Sequence, residues 1–367
     1  MSKINLFLVS VIASLLMSCV NLPKEYASYD DYPVYEGNDL EVVYSPLHTK
    51  FRLWSPAAKE AKLNLYHEGL GGEPFDVVKL KYDIDGTWVA TVDGDLKGKF
   101  YTFQIFQQDR WWDETPGIWA KAVGVNGNRG AIIDMSETNP SGWEDVKRPA
   151  MKNFTDAVLY ELHVRDFSTS EQSGMQYKGK FLAFTEMGTV NAEGKKTGVE
   201  HLKELGITHV QLLPIYDYAS VDETKLDENQ YNWGYDPKNY NVPEGGYSTD
   251  PYNPTARIIE LKKAIQSLKN NGIRVIMDVV YNHTFWGVQS HLNLTAPGYF
   301  YRFKEDGSWS NASGCGNETA SERAMVRKYI IESCKYWVNE YKVDGFRFDL
   351  MGIHDIETLN LLRAELD

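Results

Sequence analysis

Short runs between about residues 41 and 136 alternate apolar and polar side chains, and Asp-Gly turns separate the runs. The clearest runs are 50–54, 61–66, 87–91 and 99–105. Alternation places every second side chain on the same face of a strand. The spacing of the runs therefore predicts an antiparallel β-sandwich of about 95 residues.

From residue 157 the pattern changes to short apolar strands that alternate with amphipathic helices. The predicted strands are 157–163, 208–213, 273–280 and 343–350. The predicted helices are 198–205, 255–271, 321–341 and 356–366. Repeated βα units of this kind specify a parallel sheet with right-handed crossovers. Residues 214–254, after the second strand, are predicted to form a long loop where site residues collect.

These patterns predict a multidomain chain. The sandwich occupies 41–136, a linker occupies 137–156, and a catalytic-type barrel begins at 157. A closed TIM (β/α)8 barrel needs eight βα units, and the sequence contains about four, so 157–367 is predicted to be the first half of such a barrel, truncated. Residues 20–40 show no periodicity and are predicted to be a flexible tether.

The N-terminus has the pattern of an export signal. Lys3 precedes the apolar run 6–17, which is too short to span a bilayer. The run ends in Leu-Met-Ser-Cys at 16–19, which resembles a bacterial lipobox with Cys19 as the lipidated residue. Residues 1–19 are thus expected to be a lipoprotein signal peptide, and acyl chains would hold an exported protein at the cell envelope, on the outer membrane or cell surface. The alternative is an ordinary export signal with an incidental cysteine.

Composition narrows the class of partner. The formal net charge of −13 argues against nucleic acid, which requires basic surfaces. Aromatic residues make up 13% of the chain, and flat rings suit stacking on sugars, although strands also use them for packing. Trp111, Trp112 and Trp119 are predicted to serve packing first and sugar contact second.

Cysteine and acidic residues give weaker signals. Cys315 and Cys334 either form a disulfide or remain free, and Cys334 lies on an apolar helical stripe that favours a buried thiol. No cofactor is predicted, and no metal site follows from residue spacing. The acidic segment 222–228 is compatible with calcium, but a solvated charge run is the simpler interpretation.

The segment 343–349 (VDGFRFD) contains the strongest chemical signal. Residues two apart in a strand share a face, so Arg347 and Asp349 are predicted to point together, opposite Phe346 and Phe348. A guanidinium beside a carboxylate favours the ionised acid. An ionised carboxylate at the C-terminal end of a barrel strand suits the nucleophile of a retaining glycosidase. A buried ion pair with no catalytic role is the alternative.

Two motifs on successive barrel strands carry a family resemblance. GFRFD resembles the nucleophile segment of the α-amylase superfamily, and GFRFDLMG resembles its pullulanase form. DVVYNH, ending at His283, is similar to the superfamily's first signature. The resemblance implies that Asp278 and Asn282 maintain the shape of the site. It also implies that His283, with Asn282 beside it, faces the sugar next to the cleaved bond.

The motif YNWGYDP at 231–237 resembles a motif of type I pullulanases. The resemblance implies that Tyr235 stacks under the sugar at the cleavage site and that Asp236 lies beside it. Trp233 adds a wall or serves packing. In the similar first-strand segment, Glu161 and His163 are expected to bond each other or the backbone. The phrases FRLWSPAA, DGTWVATV and KGKFYTFQI are similar to the immunoglobulin-like, carbohydrate-binding type of module that precedes the barrel in related enzymes.

The resemblance implies a retaining hydrolase of α-1,6-glucosidic bonds in pullulan, starch and glycogen-derived glucans. The superfamily's general acid, a Glu after the fifth strand, has no counterpart here, so the chain by itself is expected to be inactive. One alternative is a surface glucan-binding lipoprotein without catalysis. Another is a related α-amylase or branching enzyme. The codons after position 367 distinguish the enzyme from the binding protein.

Overall fold

The structure is a computed structural model that describes residues 24–367. The predicted signal peptide at 1–19, with Cys19, lies outside the described residues. The first domain contains nine strands: β1 (Glu41–Tyr44), β2 (His48–Trp54), β3 (Glu60–Tyr66), β4 (Asp76–Lys79), β5 (Lys81–Tyr82), β6 (Thr87–Asp93), β7 (Phe100–Gln107), β8 (Arg110–Trp111) and β9 (Gly130–Ala131).

These strands form two antiparallel sheets. One sheet has the order β1-β2-β6-β5, and the other has the order β4-β3-β7-β8 with β9 also paired to β7. Phe51 and Leu53 of β2 point between the sheets and are fully buried. The ring of Phe51 meets that of Tyr101 at 5.5 Å and that of Phe103 at 6.4 Å, both on β7. The predicted antiparallel sandwich is confirmed.

The other face of β2 packs on the N-terminal segment and on the second domain. Trp54 is completely buried, its indole N–H donates to the Pro33 carbonyl at 3.1 Å, and its ring lies 4.8 Å from that of Tyr299. Tyr32 stacks on Tyr299 at 5.2 Å, and Tyr35 is buried. The prediction of a flexible tether is therefore wrong for this stretch. Its tyrosines supply aromatic area that a low overall hydrophobicity does not reveal.

The second domain contains six strands and five helices. The strands are β10 (Leu159–Leu162), β11 (His209–Leu212), β12 (Tyr216–Tyr218), β13 (Pro237–Pro243), β14 (Arg274–Val279) and β15 (Gly345–Phe348). The helices are α1 (Gly198–Glu204), α2 (Pro254–Asn270), α3 (His291–Thr295), α4 (Ala324–Tyr341) and α5 (Ile356–Leu366).

The strands β10, β11, β14 and β15 are neighbours in that order and are all parallel. The fold class, a β-sandwich followed by the first βα units of a barrel, is confirmed. Each strand is shorter than predicted because apolar residues continue beyond the paired backbone. At the two edges of the sheet, β10 is mostly exposed and β15 is half-buried.

The long segment after β11 differs from the predicted loop. It contains the antiparallel pair β12–β13, and β13 begins at Pro237, the last residue of the YNWGYDP motif. The register between β12 and β13 is irregular, so the sequence lacks the regular apolar–polar alternation that would have predicted this pair. The motif is consequently attached to a small sheet instead of a free loop.

The predicted linker 137–156 lies along the second domain. Trp143 is buried, and its carbonyl accepts from the Lys342 ammonium at 2.6 Å. Arg274 donates to the Pro149 carbonyl at 2.8 Å. These contacts attach the linker to the residue after α4 and to β14, so it is an ordered part of the domain surface.

Cys315 is exposed and Cys334 is buried, and both are free thiols. Burial raises the pKa of the Cys334 thiol to about 12, which keeps it protonated. The buried-thiol interpretation is thus correct and the disulfide is not formed. None of the helices within residues 24–367 is long and apolar enough to cross a membrane.

Glu41, at the start of β1, is a buried carboxyl whose ionisation makes the stability of the fold depend on pH. It accepts from the backbone N–H groups of Ile118 at 3.1 Å and Trp119 at 3.4 Å, and burial raises its pKa from 4.5 to about 8. Between these pH values the unfolded chain releases a proton that the folded protein keeps. Glu41 therefore lowers the unfolding free energy by about 1.4 kcal/mol for each pH unit above 4.5, up to about pH 8.

We expect Glu41→Gln to remove this dependence, since Gln keeps the acceptor oxygen and cannot ionise. Urea unfolding of both proteins at pH 5, 6.5 and 8 measures it. The variant should gain stability relative to the parent as pH rises. Stability curves that stay parallel across this range would contradict the assignment.

Candidate active site

The site forms where two neighbouring parallel strands end. The register of β14 and β15 places Asp278 directly opposite Arg347. One step further, the backbone N–H of Asp349 donates to the Val279 carbonyl at 2.9 Å, which extends the pairing past the strand end. The two motifs that sequence analysis singled out separately, at 278–283 and 345–352, therefore meet at the C-terminal edge of the sheet.

The Arg347 guanidinium joins two carboxylates. Its Nη1 lies 3.0 Å from both oxygens of Asp278 and 2.9 Å from Oδ1 of Asp349. The Asp278 side chain is completely buried, whereas that of Asp349 is 16% exposed. The predicted pairing of Arg347 with Asp349 is present, and one face of the strand carries both. The acidic partners raise the pKa of Arg347 above its already high ordinary value, so its charge is permanent.

Tyr235 completes the hydrogen bonding of Asp278. Its hydroxyl donates to Asp278 Oδ2 at 2.7 Å. Burial, and then the hydrogen bond to this carboxylate, raise the pKa of Tyr235 well above its usual range, so the phenol stays protonated. Burial also raises the pKa of Asp278, while Tyr235 and Arg347 oppose that rise. Asp278 is thereby held on both sides by donors.

Asn282 contacts the second side-chain oxygen of Asp349, and His283 contacts Asn282. The Asn282 amide nitrogen donates to the Asp349 carbonyl at 3.0 Å and to Asp349 Oδ2 at 3.2 Å. Its oxygen lies 2.6 Å from His283 Nδ1, and His283 Nε2 lies 3.0 Å from the Tyr235 carbonyl. Burial lowers the pKa of His283, which favours the neutral ring. A neutral imidazole has one N–H, so it can donate to only one of these two oxygens at a time.

Two predicted site residues do not join this cluster. Trp233 is 60% exposed, and its indole N–H donates to the Tyr231 hydroxyl at 2.7 Å. Asp236 is buried and its Oδ2 accepts from the Ser220 N–H at 2.7 Å, an internal contact of the loop. Asp236 therefore stabilises the loop that presents Tyr235, and it forms no hydrogen bond with Asp349, Arg347 or Asn282.

Glu161 and His163 were expected to bond each other or the backbone. His163 Nε2 lies 2.8 Å from the Asn232 carbonyl and 3.0 Å from the Tyr247 hydroxyl, so the backbone contact is found. Glu161 is exposed and accepts from Gln211 at 2.6 Å instead of contacting His163. Adjacent parallel strands place Glu161 and Gln211 side by side, which one strand's sequence cannot reveal.

Of Trp111, Trp112 and Trp119, two are buried, as predicted for residues that serve packing. Trp112 and Trp119 are buried, and the Trp119 indole donates to Glu332 of α4 at 3.0 Å. Trp111 on the edge strand β8 is 41% exposed, with the Lys62 ammonium 4.7 Å from its ring centroid. Of the three rings, Trp111 alone is accessible to a ligand.

A second group of carboxyls, Asp217, Glu223 and Glu244, was missed by sequence analysis. Their oxygens lie within 4.8 Å of one another and all three residues are buried. The fully buried Arg257 lies 3.3 Å from Asp217 Oδ1 and 2.6 Å from Glu223 Oε2. The solvated-run interpretation of 222–228 is therefore wrong for Glu223. The sequence did contain a signal for this cluster, because Arg257 lies on the buried face of α2 beside apolar residues such as Ile258.

Replacing Arg347 by alanine tests whether its guanidinium stabilises the protein by joining Asp278 and Asp349. The variant leaves Asp278 buried without its cation, and we expect a loss of about 1–3 kcal/mol in unfolding free energy at pH 7, reduced from a fully buried pair because Arg347 is 41% exposed. An acid whose folded-state pKa is raised is destabilising only above its unfolded-state pKa. The difference should therefore shrink as the pH falls towards 4, because the Asp278 carboxyl then begins to take up a proton in the unfolded chain as well.

The matched control is Arg363→Ala, which removes an exposed pair with Asp367 and should change stability little. Chemical unfolding of the three proteins at pH 4 and pH 7 measures both effects. Equal losses for the two variants, or a loss independent of pH, would contradict the bridging role of Arg347.

The sequence also matches two known protein families. The model for the "Alpha amylase, catalytic domain" matches residues 162–293. The model for "Carbohydrate-binding module 48 (Isoamylase N-terminal domain)" matches residues 39–120, within the sandwich. Both matches agree with the two domains of the structure.

A pullulanase of Bacillus subtilis is 46% identical over 340 residues, covering 92% of this chain and 46% of that protein. The chloroplastic pullulanase 1 of Arabidopsis thaliana is 32% identical, covering 88% of this chain and 37% of that protein. The chain thus spans about half or less of the length of these curated relatives.

The crystal structure of a pullulanase from Paenibacillus barengoltzii, in complex with maltohexaose and α-cyclodextrin, is similar over 93% of this chain and 53% of its own. The identity is 55% and the TM-score is 0.91. A pullulanase from Bacillus acidopullulyticus is 46% identical with a TM-score of 0.88, over 92% of this chain and 41% of its own. Together with the two matched domains and the two strand motifs that meet at the site, these similarities show that the chain resembles pullulanases over more than nine-tenths of its length.

Proposed function

We propose that the complete product of this gene hydrolyses α-1,6-glucosidic bonds in pullulan and in branched starch or glycogen fragments, with retention of anomeric configuration. The observation that supports this most directly is the Arg347 guanidinium between Asp278 and Asp349 at the strand ends. The similarity to pullulanases, one of them solved with maltohexaose, favours an α-glucan as substrate.

In this proposal Asp349 is the nucleophile. Its Oδ1 faces Arg347 and its Oδ2 faces the Asn282 amide, so both oxygens have fixed directions before substrate arrives. The carboxylate attacks the anomeric carbon, the bond to the departing glycosidic oxygen breaks, and water later hydrolyses the glycosyl ester. Protonation of the departing oxygen requires a second carboxyl group, which we assign to no residue of this chain.

Arg347 serves two needs of this step. Its permanent charge lies 2.9 Å from the Asp349 carboxylate, and it compensates the buried charge of Asp278 throughout. A lysine has a single point charge and cannot present the same planar donors to two carboxylates. Asp278 acts through Arg347 and Tyr235, so we propose a structural role for it.

Tyr235 and His283 would position the sugar. Asp278 holds the Tyr235 ring at its hydroxyl, and His283 lies 3.0 Å from the backbone carbonyl of the same residue. A ring whose hydroxyl and backbone are both held provides a rigid face for the apolar side of a pyranose. In this proposal the neutral His283 ring carries its proton on Nε2, 3.0 Å from the Tyr235 carbonyl, and donates it to a sugar hydroxyl when substrate binds. We propose that Trp233 and Asp236 contribute less directly to sugar binding. Trp233 forms a wall of the loop, and Asp236 stabilises the loop.

Asp349→Ala tests the proposal. Removing the nucleophile should lower kcat on pullulan by about 10⁴-fold or more, with the fold intact. The measurement is release of maltotriose from pullulan by the complete gene product. Asp306→Ala is the matched control, because Asp306 accepts only from Ser308 of its own turn, and it should keep full activity.

Full activity in Asp349→Ala would exclude this residue as nucleophile. A complete gene product that binds α-glucan without releasing maltotriose would favour the non-catalytic glucan-binding lipoprotein. Release of products from linear α-1,4 glucans alone would favour a related amylase. Each outcome therefore selects one function.

We also propose that Cys19 is lipidated and that the exported protein is anchored in the bacterial cell envelope. The support is the order of basic residue, short apolar run and Leu-Met-Ser-Cys at the N-terminus. Two or more acyl chains on one residue provide stable anchoring without a spanning helix. The sandwich then follows after about twenty residues, several of which pack on the folded domains.

Cys19→Ser should release the protein from the membrane fraction, since serine cannot form the thioether. Fractionation of cells that express the parent and the variant, with labelled fatty acid as a second readout, measures anchoring. Cys315→Ser is the control, because that free thiol is exposed on the second domain. A variant that stays in the membrane fraction and keeps its label would contradict the anchor.

A further inference from the structure

A turn of the sandwich domain reaches into the base of the segment that carries Tyr235. The Gly127 N–H donates to the Gly124 carbonyl at 2.9 Å and closes the turn. Asn126 and Gly127 both have positive φ, at 61° and 65°. Asparagine and glycine are the residues that tolerate this left-handed conformation best, so the sequence Asn-Gly fits the turn.

Asn126 makes several hydrogen bonds across the domain boundary. Its backbone N–H donates to Glu223 Oε2 at 2.8 Å, and its side-chain oxygen accepts from the Glu223 N–H at 2.7 Å. Its amide nitrogen donates to Asp222 Oδ1 at 3.0 Å, and its carbonyl accepts from the Lys238 ammonium. One residue of the sandwich therefore binds both segments that flank the YNWGYDP motif.

Gly127 occupies a space that no side chain can share. A Cβ at this position would lie 2.4 Å from Asp217 Oδ2 and 2.7 Å from the Asn239 amide nitrogen. Asp217 and Asn239 are opposite each other on β12 and β13 and are joined by a hydrogen bond of 2.7 Å. The Gly127 carbonyl accepts from the same Asn239 amide at 2.9 Å. The turn thus meets the small sheet at one cross-strand pair.

The partners of the turn cannot move aside easily. Asp217 and Glu223 share the fully buried Arg257, and their side chains are 2% exposed. Breaking a buried ion pair leaves an uncompensated charge, so the structure resists displacement here. Movement at the turn should instead shift β12 and β13 as a unit.

The small sheet leads directly to the candidate site. Tyr235 and Asp236 immediately precede β13, and Asp236 is tied back to the segment after β12 by the Ala219 N–H at 3.0 Å and the Ser220 N–H at 2.7 Å. The Tyr235 hydroxyl donates to Asp278 on β14, in the neighbouring parallel sheet. Displacement of β13 would therefore move the aromatic ring relative to Asp278 and Asp349.

We propose that Asn126 and Gly127 of the sandwich domain are positioning residues for the glucan site, acting through β12–β13 on Tyr235. The inference rests on the proposed function for its substrate. By this inference the sandwich contributes to substrate binding in the barrel through a fixed turn, independently of any glucan that the sandwich itself contacts.

Gly127→Ala is the main test, and Gly98→Ala is its matched control. Gly98 also has a positive φ, of 81°, but a Cβ there meets nothing within 4 Å, so the control reproduces backbone strain without the contact. Asn126→Gly is the second variant, because it keeps the left-handed backbone and deletes only the side-chain hydrogen bonds to Asp222 and Glu223. It should fold even if Gly127→Ala does not.

The first readout is hydrogen exchange of residues 231–243 in the complete gene product. We expect about a tenfold or greater increase in exchange there for Gly127→Ala and Asn126→Gly, and none for Gly98→Ala. The second readout is kinetics on pullulan. A misplaced Tyr235 should lower kcat/KM by about 10- to 100-fold, with KM raised. A protein that was merely destabilised would lose active molecules and lower kcat at unchanged KM.

The two proposals fail in different ways. If the parent protein does not cleave pullulan, the proposed function is wrong, while exchange at 231–243 still decides whether the turn positions the loop. If the parent cleaves pullulan and both variants keep the parent's KM and exchange, the positioning role is overturned. A Gly98→Ala effect equal to that of Gly127→Ala would also overturn it, because strain alone would then explain the loss.

Discussion

The candidate site depends on the Arg347 guanidinium, which lies between a completely buried carboxylate and a partly exposed one. Asp278 without this cation would be an unpaired charge in the interior, which is costly. Asp349 without it would lose the donor that fixes Oδ1. The geometry requires β14 and β15 to be parallel neighbours in one particular register. A shift of one residue would send Arg347 to the helix side, so strand register and chemistry are inseparable here.

The surroundings of this pair come from other parts of the chain. Tyr235 arrives from the segment before β13, and Asn282 and His283 follow β14. Each binds a neighbour in the cluster, so the site forms a closed hydrogen-bond network in which Asp349 retains some exposure to solvent. A network in which most groups are satisfied is rigid, and rigidity of this kind suits the nucleophile role that we propose for Asp349.

Two of the contacts between the sandwich and the barrel domain differ in their chemistry. Near the N-terminus the contact is aromatic, with Trp54 and Tyr32 against Tyr299. At the other place Asn126 and Gly127 form polar contacts with the segments around β12 and β13. Aromatic packing supplies buried area without strict direction, whereas hydrogen bonds to buried partners fix direction. The polar contact is therefore the one suited to positioning the site.

The sequence by itself determined the sandwich, the order of parallel strands, and the shared face of Arg347 and Asp349. Alternation with period two and amphipathic helices are local patterns, so they need no knowledge of neighbours. Only the tertiary structure decided that Asp278 lies opposite Arg347, that Asn126 binds Glu223, and that the segment before β1 packs instead of remaining a tether. These are contacts between residues tens to hundreds of positions apart. They depend on sheet register and on the docking of domains, which a local pattern does not encode.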